Sequence, residues 1–217
     1  MEAQQTTCAV VASLPHPPAE NGSSPLPFFH LLERLKTTKR EGWRRFGILQ
    51  GESISDHMYR MSMMTMFPPP ALAPKLDIPR CTKMALVHDV AESLVGDITP
   101  NDRDVPKTEK ARREADVMKY ISTTLLGGVH GGDQGIEAIF EEYEANETLE
   151  ARFVHDIDKM ELLLQTIEYE RAHEGKLDLS EFYGTTERIV LPEMKAWADA
   201  VIKERDSFWA DKQRPTS

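Results

Sequence analysis

The chain has 217 residues, 40% of them apolar and 29% charged, a length and balance that suit one folded domain and leave no room for two large ones. Its 36 acidic against 26 basic residues give a net charge of −10, which argues against a nucleic-acid polymer as partner, because that task needs a basic face. No apolar run approaches the roughly 20 residues that cross a bilayer, so no membrane partner is expected. The spacing of Cys8 and Cys81 suggests neither a disulfide framework nor a zinc site, and points to a reducing compartment, the cytoplasm or also the nucleus.

Residues 1–25 are rich in Pro, Ser, Gln and Thr and read as a disordered tail, leaving 26–210 as the folded domain. The apolar patch Cys8–Leu14 has no basic stretch before it, unlike a secretory leader. Phe28, Leu31, Leu32 and Leu35 then repeat at helix spacing over 28–39. After a connecting REGWRRFGI, a second helix is expected behind Ser53 or Ser55, either a good N-cap, with Asp56 placed well for the dipole. It must stop by Phe67, because Pro68, Pro69 and Pro70 follow.

A third helix is predicted over 79–95, its stripe formed by Met84, Val87, Ala91 and Leu94 and its end at Gly96. A charged amphipathic helix fills 106–126, and the glycine-rich 127–135 is a connector. Helices at 136–145, 148–173 and 185–209 complete the chain. No alternation of period two has useful length, so the fold class is all-α, a bundle of six to eight helices.

The third helix holds the chemistry. His88 and Asp89 sit together in the otherwise apolar ALVHDVAESLV, where a carboxylate needs a partner or a metal. Glu92 lies four residues after His88 and three after Asp89, so one side of the helix offers a nitrogen ligand, a carboxylate ligand and a second carboxylate for proton transfer. His57 opens the methionine-rich helix, and FVHDIDKMELLL offers two further aspartates. Asp156, with Arg152 and Lys159 at helical spacing, suits an exposed ion-paired face; Asp158, between Val154 and Leu162, points along the apolar side and is the candidate ligand. Arg112, Arg113 and Glu114 read as a solvated face, and His130, His155 and His173 as surface residues.

The strings ESISDHMYRM, ALVHDVAESLVGDITP and FVHDIDKMELLL, in that order over residues 28–172, resemble the HD-domain metal-dependent phosphohydrolases, and among them the 5'-deoxynucleotidase branch. The resemblance implies His57, His88, Asp89 and Asp158 as ligands of one divalent metal ion, with Glu92 and Asp97 as catalytic carboxylates. It further implies that Arg40 and Trp43 bind phosphate and select the deoxyribose; the basic Arg44-Arg45 that follows leaves open whether Arg40 or Arg44 meets the phosphate. Trp43 also has a reading as a packing residue at a helix junction.

Two imidazoles and two carboxylates suit Mn²⁺, Co²⁺, Fe²⁺ or Zn²⁺ better than the all-oxygen set of Ca²⁺. No Cys or Ser stands in a nucleophile motif, which favours direct attack by water. The expected function is hydrolysis of (deoxy)nucleoside 5'-monophosphates, a small-molecule nucleotide substrate, to nucleoside and phosphate. The alternatives are a 3'-monophosphate, cyclic nucleotide or triphosphate as substrate, or a catalytically idle nucleotide-binding module. The intact ligand and glutamate set counts against the idle module. The resemblance suggests a homodimer.

Overall fold

Local capping and proline chemistry set most of the helix boundaries. A computed structural model describes residues 7–99, 105–130, 135–210 and 212, and among these the regular structure is ten α-helices. They are α1 (Thr7–Ala12), α2 (Leu26–Thr37), α3 (Glu41–Arg44), α4 (Ile54–Thr65), α5 (Ile78–Val87), α6 (Glu92–Val95), α7 (Lys107–Tyr120), α8 (Ile136–Ala145), α9 (Leu149–Ala172) and α10 (Pro192–Trp209). An isolated antiparallel bridge joins Lys39 to Ser53. The all-α expectation holds. None of the described helices is long and apolar enough to cross a membrane. Contacts gather into two units, Met1–Met58 with Leu86–Glu141 and Tyr59–Ala85 with Glu142–Ser217.

In the first unit α6 packs on α2 and α7, and α1 packs on α6 and α7. Their shared core includes Leu31, Leu35, Ile54, Val90, Leu94, Val117 and Ile121. Residues 7–25 differ from the expected tail: Thr7–Ala12 is helical, Val11 joins the core, and the Asn21 amide donates to the Thr124 carbonyl at 2.9 Å. Residues 1–6 lie outside the described set, as do 131–134 of the glycine-rich connector.

The start of α4 resolves the choice between two serines. Ser53 Oγ accepts from the Asp56 amide at 3.1 Å, while Asp56 Oδ2 accepts from both the Ser53 amide and its hydroxyl at 2.8 Å. This reciprocal box holds Asp56 below the usual carboxylate range, chiefly through the Ser53 amide. The predicted single helix over 79–95 is a correction: α5 ends at Val87, and residues 88–91 form tight turns before α6. Amides there donate three residues back, as Glu92 does to Asp89 at 3.0 Å. Three residues per turn eclipse positions i and i+3, which keeps Asp89 and Glu92 on one side while Val90, Ala91 and Leu94 enter the core. Gly96, at φ +80°, ends α6 as expected. The helix expected to reach 126 instead widens after Tyr120 into a π turn over Ile121–Leu125.

The second unit is organised by α9, which packs against α10 and the 3₁₀ segment Ser180–Arg188. Proline at its first position starts α10 at Pro192, later than the predicted 185. Asp156 is the clear departure, since it is fully buried rather than on an exposed face. Its carboxylate accepts from the amides of Val190 and Leu191, at 3.1 and 2.8 Å, just ahead of α10. His155, expected at the surface, stacks on Tyr143 at 3.9 Å and bonds that residue's carbonyl through Nε2 at 2.9 Å.

Glu170, also fully buried, receives Arg205 Nε and Nη2 at 2.8 and 2.7 Å, the Trp209 indole at 2.9 Å and the Leu179 amide at 2.9 Å. Removing one partner of such a pair strands the other. Glu170→Ala should therefore lower unfolding free energy by about 3–5 kcal/mol in urea denaturation. Arg171→Ala, which breaks only the exposed pair with Glu204, should change it little.

Candidate metal centre

Short backbone pairing brings the site's first elements together. The Arg40 amide donates to the Glu52 carbonyl at 3.1 Å and the Ile54 amide to the Thr38 carbonyl at 3.1 Å, so the segment leading into α3 runs beside the start of α4. His57 stands in the first turn of α4, and His88 and Asp89 in the turn after α5. Ligand atoms of these three all lie within 4.8 Å of one another. The imidazoles are 0% and 5% exposed, with ring centroids 5.6 Å apart.

Asp89 Oδ2 is 3.2 Å from His88 Nε2, 4.0 Å from His57 Nε2 and 3.4 Å from the Arg40 guanidinium. Burial opposes the charge on this carboxylate, but His88 above all, then Arg40 and His57, outweighs it and holds Asp89 well below the usual range. Two buried nitrogen donors beside an ionised carboxylate are a donor set that fits a divalent transition metal.

Glu92, three residues on, is driven the other way. Burial, then the neighbouring charges of Asp89 and Asp97, push its carboxyl well up, and Lys110 and Arg40 only partly oppose this. Its Oε1 lies 3.5 Å from Lys110 Nζ, while Oε2 is buried with no hydrogen-bond partner among the described residues. Adjacent carboxylates pushed apart in this way are equipped for different tasks. Arg34 of α2 donates to the Ser93 carbonyl and so braces the turn that presents Glu92. Asp97 Oδ2 accepts from the Glu41 amide at 2.6 Å, tying the start of α3 to the end of α6.

The two candidate arginines part company. Arg40 turns toward Asp89, whereas Arg44 is exposed and pairs with Glu41 at 3.2 Å. Trp43 is 1% exposed, and its indole donates to Glu52 Oε1 at 2.8 Å. Arg40 Nε lies 3.8 Å from the same oxygen. Asp158 stands half-buried on α9, in the other unit.

The HD domain model matches residues 32–197. The chain belongs to the HD domain family. Among its relatives, the 5'-deoxynucleotidase hdd1 of Schizosaccharomyces pombe is 45% identical, covering 88% of this chain and 96% of its own. The 5'-deoxynucleotidase YGK1 of Saccharomyces cerevisiae is 41% identical, covering 92% and 89%. The 5'-deoxynucleotidase HDDC2 of Xenopus laevis is 38% identical, covering 89% and 93%. Of solved structures, the HD domain-containing protein YGK1 superposes with a TM-score of 0.67 at 33% identity over 94% of each chain. A conserved hypothetical protein from Pyrococcus furiosus gives 0.68 at 27% identity, covering 84% and 99%. HD-domain phosphohydrolases are metal-dependent, and His57, His88 and Asp89 are this chain's candidate ligands.

Glu52, Lys110 and Glu114 were not singled out by sequence reasoning as site residues. Glu114, expected on a solvated face, is 8% exposed and faces Lys110, because α7 turns that side toward α6. Arg112 and Arg113 do lie on the outer side, paired with Glu109. Glu52 stands in an irregular segment where no periodicity marks it, and its contacts with Trp43 and Arg40 reveal its task. Trp43→Phe keeps a ring in the core but removes the donor to Glu52. A loss of about 1–3 kcal/mol in urea denaturation is expected; an unchanged midpoint would show that the indole bond contributes nothing.

Proposed function

We propose that this chain is a metal-dependent phosphomonoesterase that hydrolyses (deoxy)nucleoside 5'-monophosphates to nucleoside and phosphate. The observation that carries this reading is the pairing of the buried imidazoles of His57 and His88 and the half-buried Asp89 with a second carboxylate, Glu92, whose Oε2 has no hydrogen-bond partner among the described residues. The relatives named 5'-deoxynucleotidases, matched over most of their length, support the substrate class.

In this reading His57, His88 and Asp89 hold the ion, and Asp158 is the fourth ligand. The sequence around α9 supports Asp158, as does Asp156's commitment to the amides of Val190 and Leu191. The donor chemistry suits Mn²⁺, Co²⁺, Fe²⁺ or Zn²⁺. Such an ion, when bound, supplies Lewis acidity toward phosphate and lowers the pKa of water. Arg40 offers the guanidinium nearest the centre and binds the phosphate, with Arg44 outside it. Water attacks phosphorus, the P–O5' bond breaks, and the departing oxygen takes a proton. Glu92 holds or delivers a proton at Oε2, and Asp97 positions water with the oxygen not bound to Glu41. Trp43 contributes to sugar choice through the frame it shares with Glu52 and Arg40.

The two cysteines are free, in keeping with a cytoplasmic setting. A second copy of the chain is the proposed partner. An apolar groove of about 430 Å³, lined by Met63, Met64, Phe67, Leu164, Trp197 and Val201, supports it, with Phe67 70% exposed. Sedimentation velocity at micromolar concentration should give the mass of two chains, and Phe67→Asp should give one.

Phosphate release from a panel of deoxy- and ribonucleoside monophosphates tests the activity. Release should stop with EDTA and return with Mn²⁺, Co²⁺ or Zn²⁺. Glu92→Gln should keep its metal and lose about a hundredfold or more in kcat. Full activity in that variant would remove Glu92 from the mechanism, and no release with any metal would favour the binding-module alternative.

A further inference from the structure

Half-buried lysines beside a reacting carboxylate need an explanation, and Lys110 is one. It stands in the second turn of α7, four residues before Glu114, so both face α6. Its Nζ donates to the Ile98 carbonyl at 2.9 Å and lies 3.5 Å from Glu114 Oε1 and 3.5 Å from Glu92 Oε1. Its side chain is 31% exposed, whereas that of Glu92 is 3% exposed. A lysine that served only to tether α7 would need no more than the Ile98 carbonyl and Glu114. The third contact reaches a buried carboxylate, Glu92, one of whose oxygens has no hydrogen-bond partner among the described residues.

Resting on the phosphomonoesterase reading, we propose that Lys110 is a positioning residue for Glu92. Seated on the Ile98 carbonyl and Glu114, its ammonium holds Oε1 and leaves Oε2 as the oxygen that meets the reaction. Geometry supports this in two ways. The rotamer of Glu92 has no other side-chain anchor among the described contacts, since its remaining oxygen makes no hydrogen bond. The ammonium is also fixed from behind, so it cannot follow a drifting carboxylate. Charge agrees: burial opposes the ammonium, but Glu92 and Glu114, with Asp89 and Asp97 farther off, raise Lys110 above the usual lysine range, and it stays charged. Arg34 braces the backbone of the same turn through the Ser93 carbonyl. Main chain and carboxylate are thereby held from two different helices.

The test measures kcat, KM and bound metal for wild type, Lys110→Ala, Glu92→Gln and the double variant, with dAMP as substrate. Lys110→Ala should lower kcat about tenfold to a hundredfold, the scale of a misplaced reacting group. KM should stay within about threefold and metal content should not change. Added ethylammonium should restore part of kcat, since the vacated position is reachable from solvent. The double variant should match Glu92→Gln, because a residue that acts through Glu92 has nothing left to position. Unchanged kcat in Lys110→Ala, a loss confined to KM or metal content, or losses that multiply in the double variant would each overturn the proposal. Should Lys110→Ala not fold, Lys110→Met keeps the apolar stem and carries the same comparison. If wild type hydrolyses no mononucleotide, the proposed function fails and the positioning claim is decided separately. Crystals of wild type and Lys110→Ala then compare the Glu92 carboxylate: displaced in the variant, the claim stands; unmoved, it falls.

Discussion

The candidate centre depends on keeping the half-buried Asp89 carboxylate ionised beside two buried imidazoles. Taking a charge out of water without partners is costly, and three cationic or polar groups converge on Asp89 Oδ2. That demand explains features otherwise unrelated. Arg40 has to reach inward, so its backbone is paired with Glu52 and its side chain is steered by the Glu52 carboxylate. The turn after it is pinned by Asp97 on the Glu41 amide and by the Trp43 indole on Glu52. His57 is delivered by a helix start that Ser53 and Asp56 lock together. Near or far along the chain, these bonds gather around the placement of one carboxylate.

Comparison among the buried carboxylates separates scaffold from chemistry. Asp156 accepts two backbone amides, and Glu170 accepts an arginine fork, an indole and an amide. Both are as hidden as any residue in the chain, yet every oxygen is engaged, and such groups hold helices in place. Glu92 is nearly as deeply placed but half satisfied: one oxygen lies beside Lys110, and the other has no hydrogen-bond partner among the described residues. A stability role alone would favour filling that second position, because an unsatisfied buried acceptor costs about 1–3 kcal/mol. Retaining it makes sense where a substrate or water completes the set.

The parts legible in the sequence were those set by neighbours within a turn or two. The Ser53–Asp56 box, the proline stop after α4, the glycine end of α6 and the span of α8 at 136–145 all rest on such local rules. His88, Asp89 and Glu92 could be grouped because they share one stretch, and the grouping survives the break in the helix since i and i+3 eclipse in tight turns. What stayed hidden depends on partners far along the chain. Asp156 keeps the expected pair with Lys159, at 3.6 Å, but it is buried and accepts the amides of Val190 and Leu191, more than thirty residues away. Glu114 looked solvated because only the packing of α7 on α6 turns it inward. Residues 7–25 carry a tail-like composition, yet Val11 in the core, Val10 and Leu14 packed against it, the Asn21 amide on Thr124 and Glu20 on the Tyr120 hydroxyl bring them in.

Trp43 shows how placement limits function. A side chain 1% exposed offers almost no surface to a ligand, so a direct wall against a sugar would require it to move. Moving it would break the indole bond to Glu52 and loosen the carboxylate that Arg40 leans on. Direct contact and a stable Arg40 therefore compete. The arrangement favours transmission: Trp43 donates to Glu52, Glu52 lies beside Arg40, and the Arg40 guanidinium comes within 3.4 Å of Asp89. Under the proposed function, the tryptophan would then act on selectivity from the core, through where Arg40 holds a phosphate, without touching the substrate.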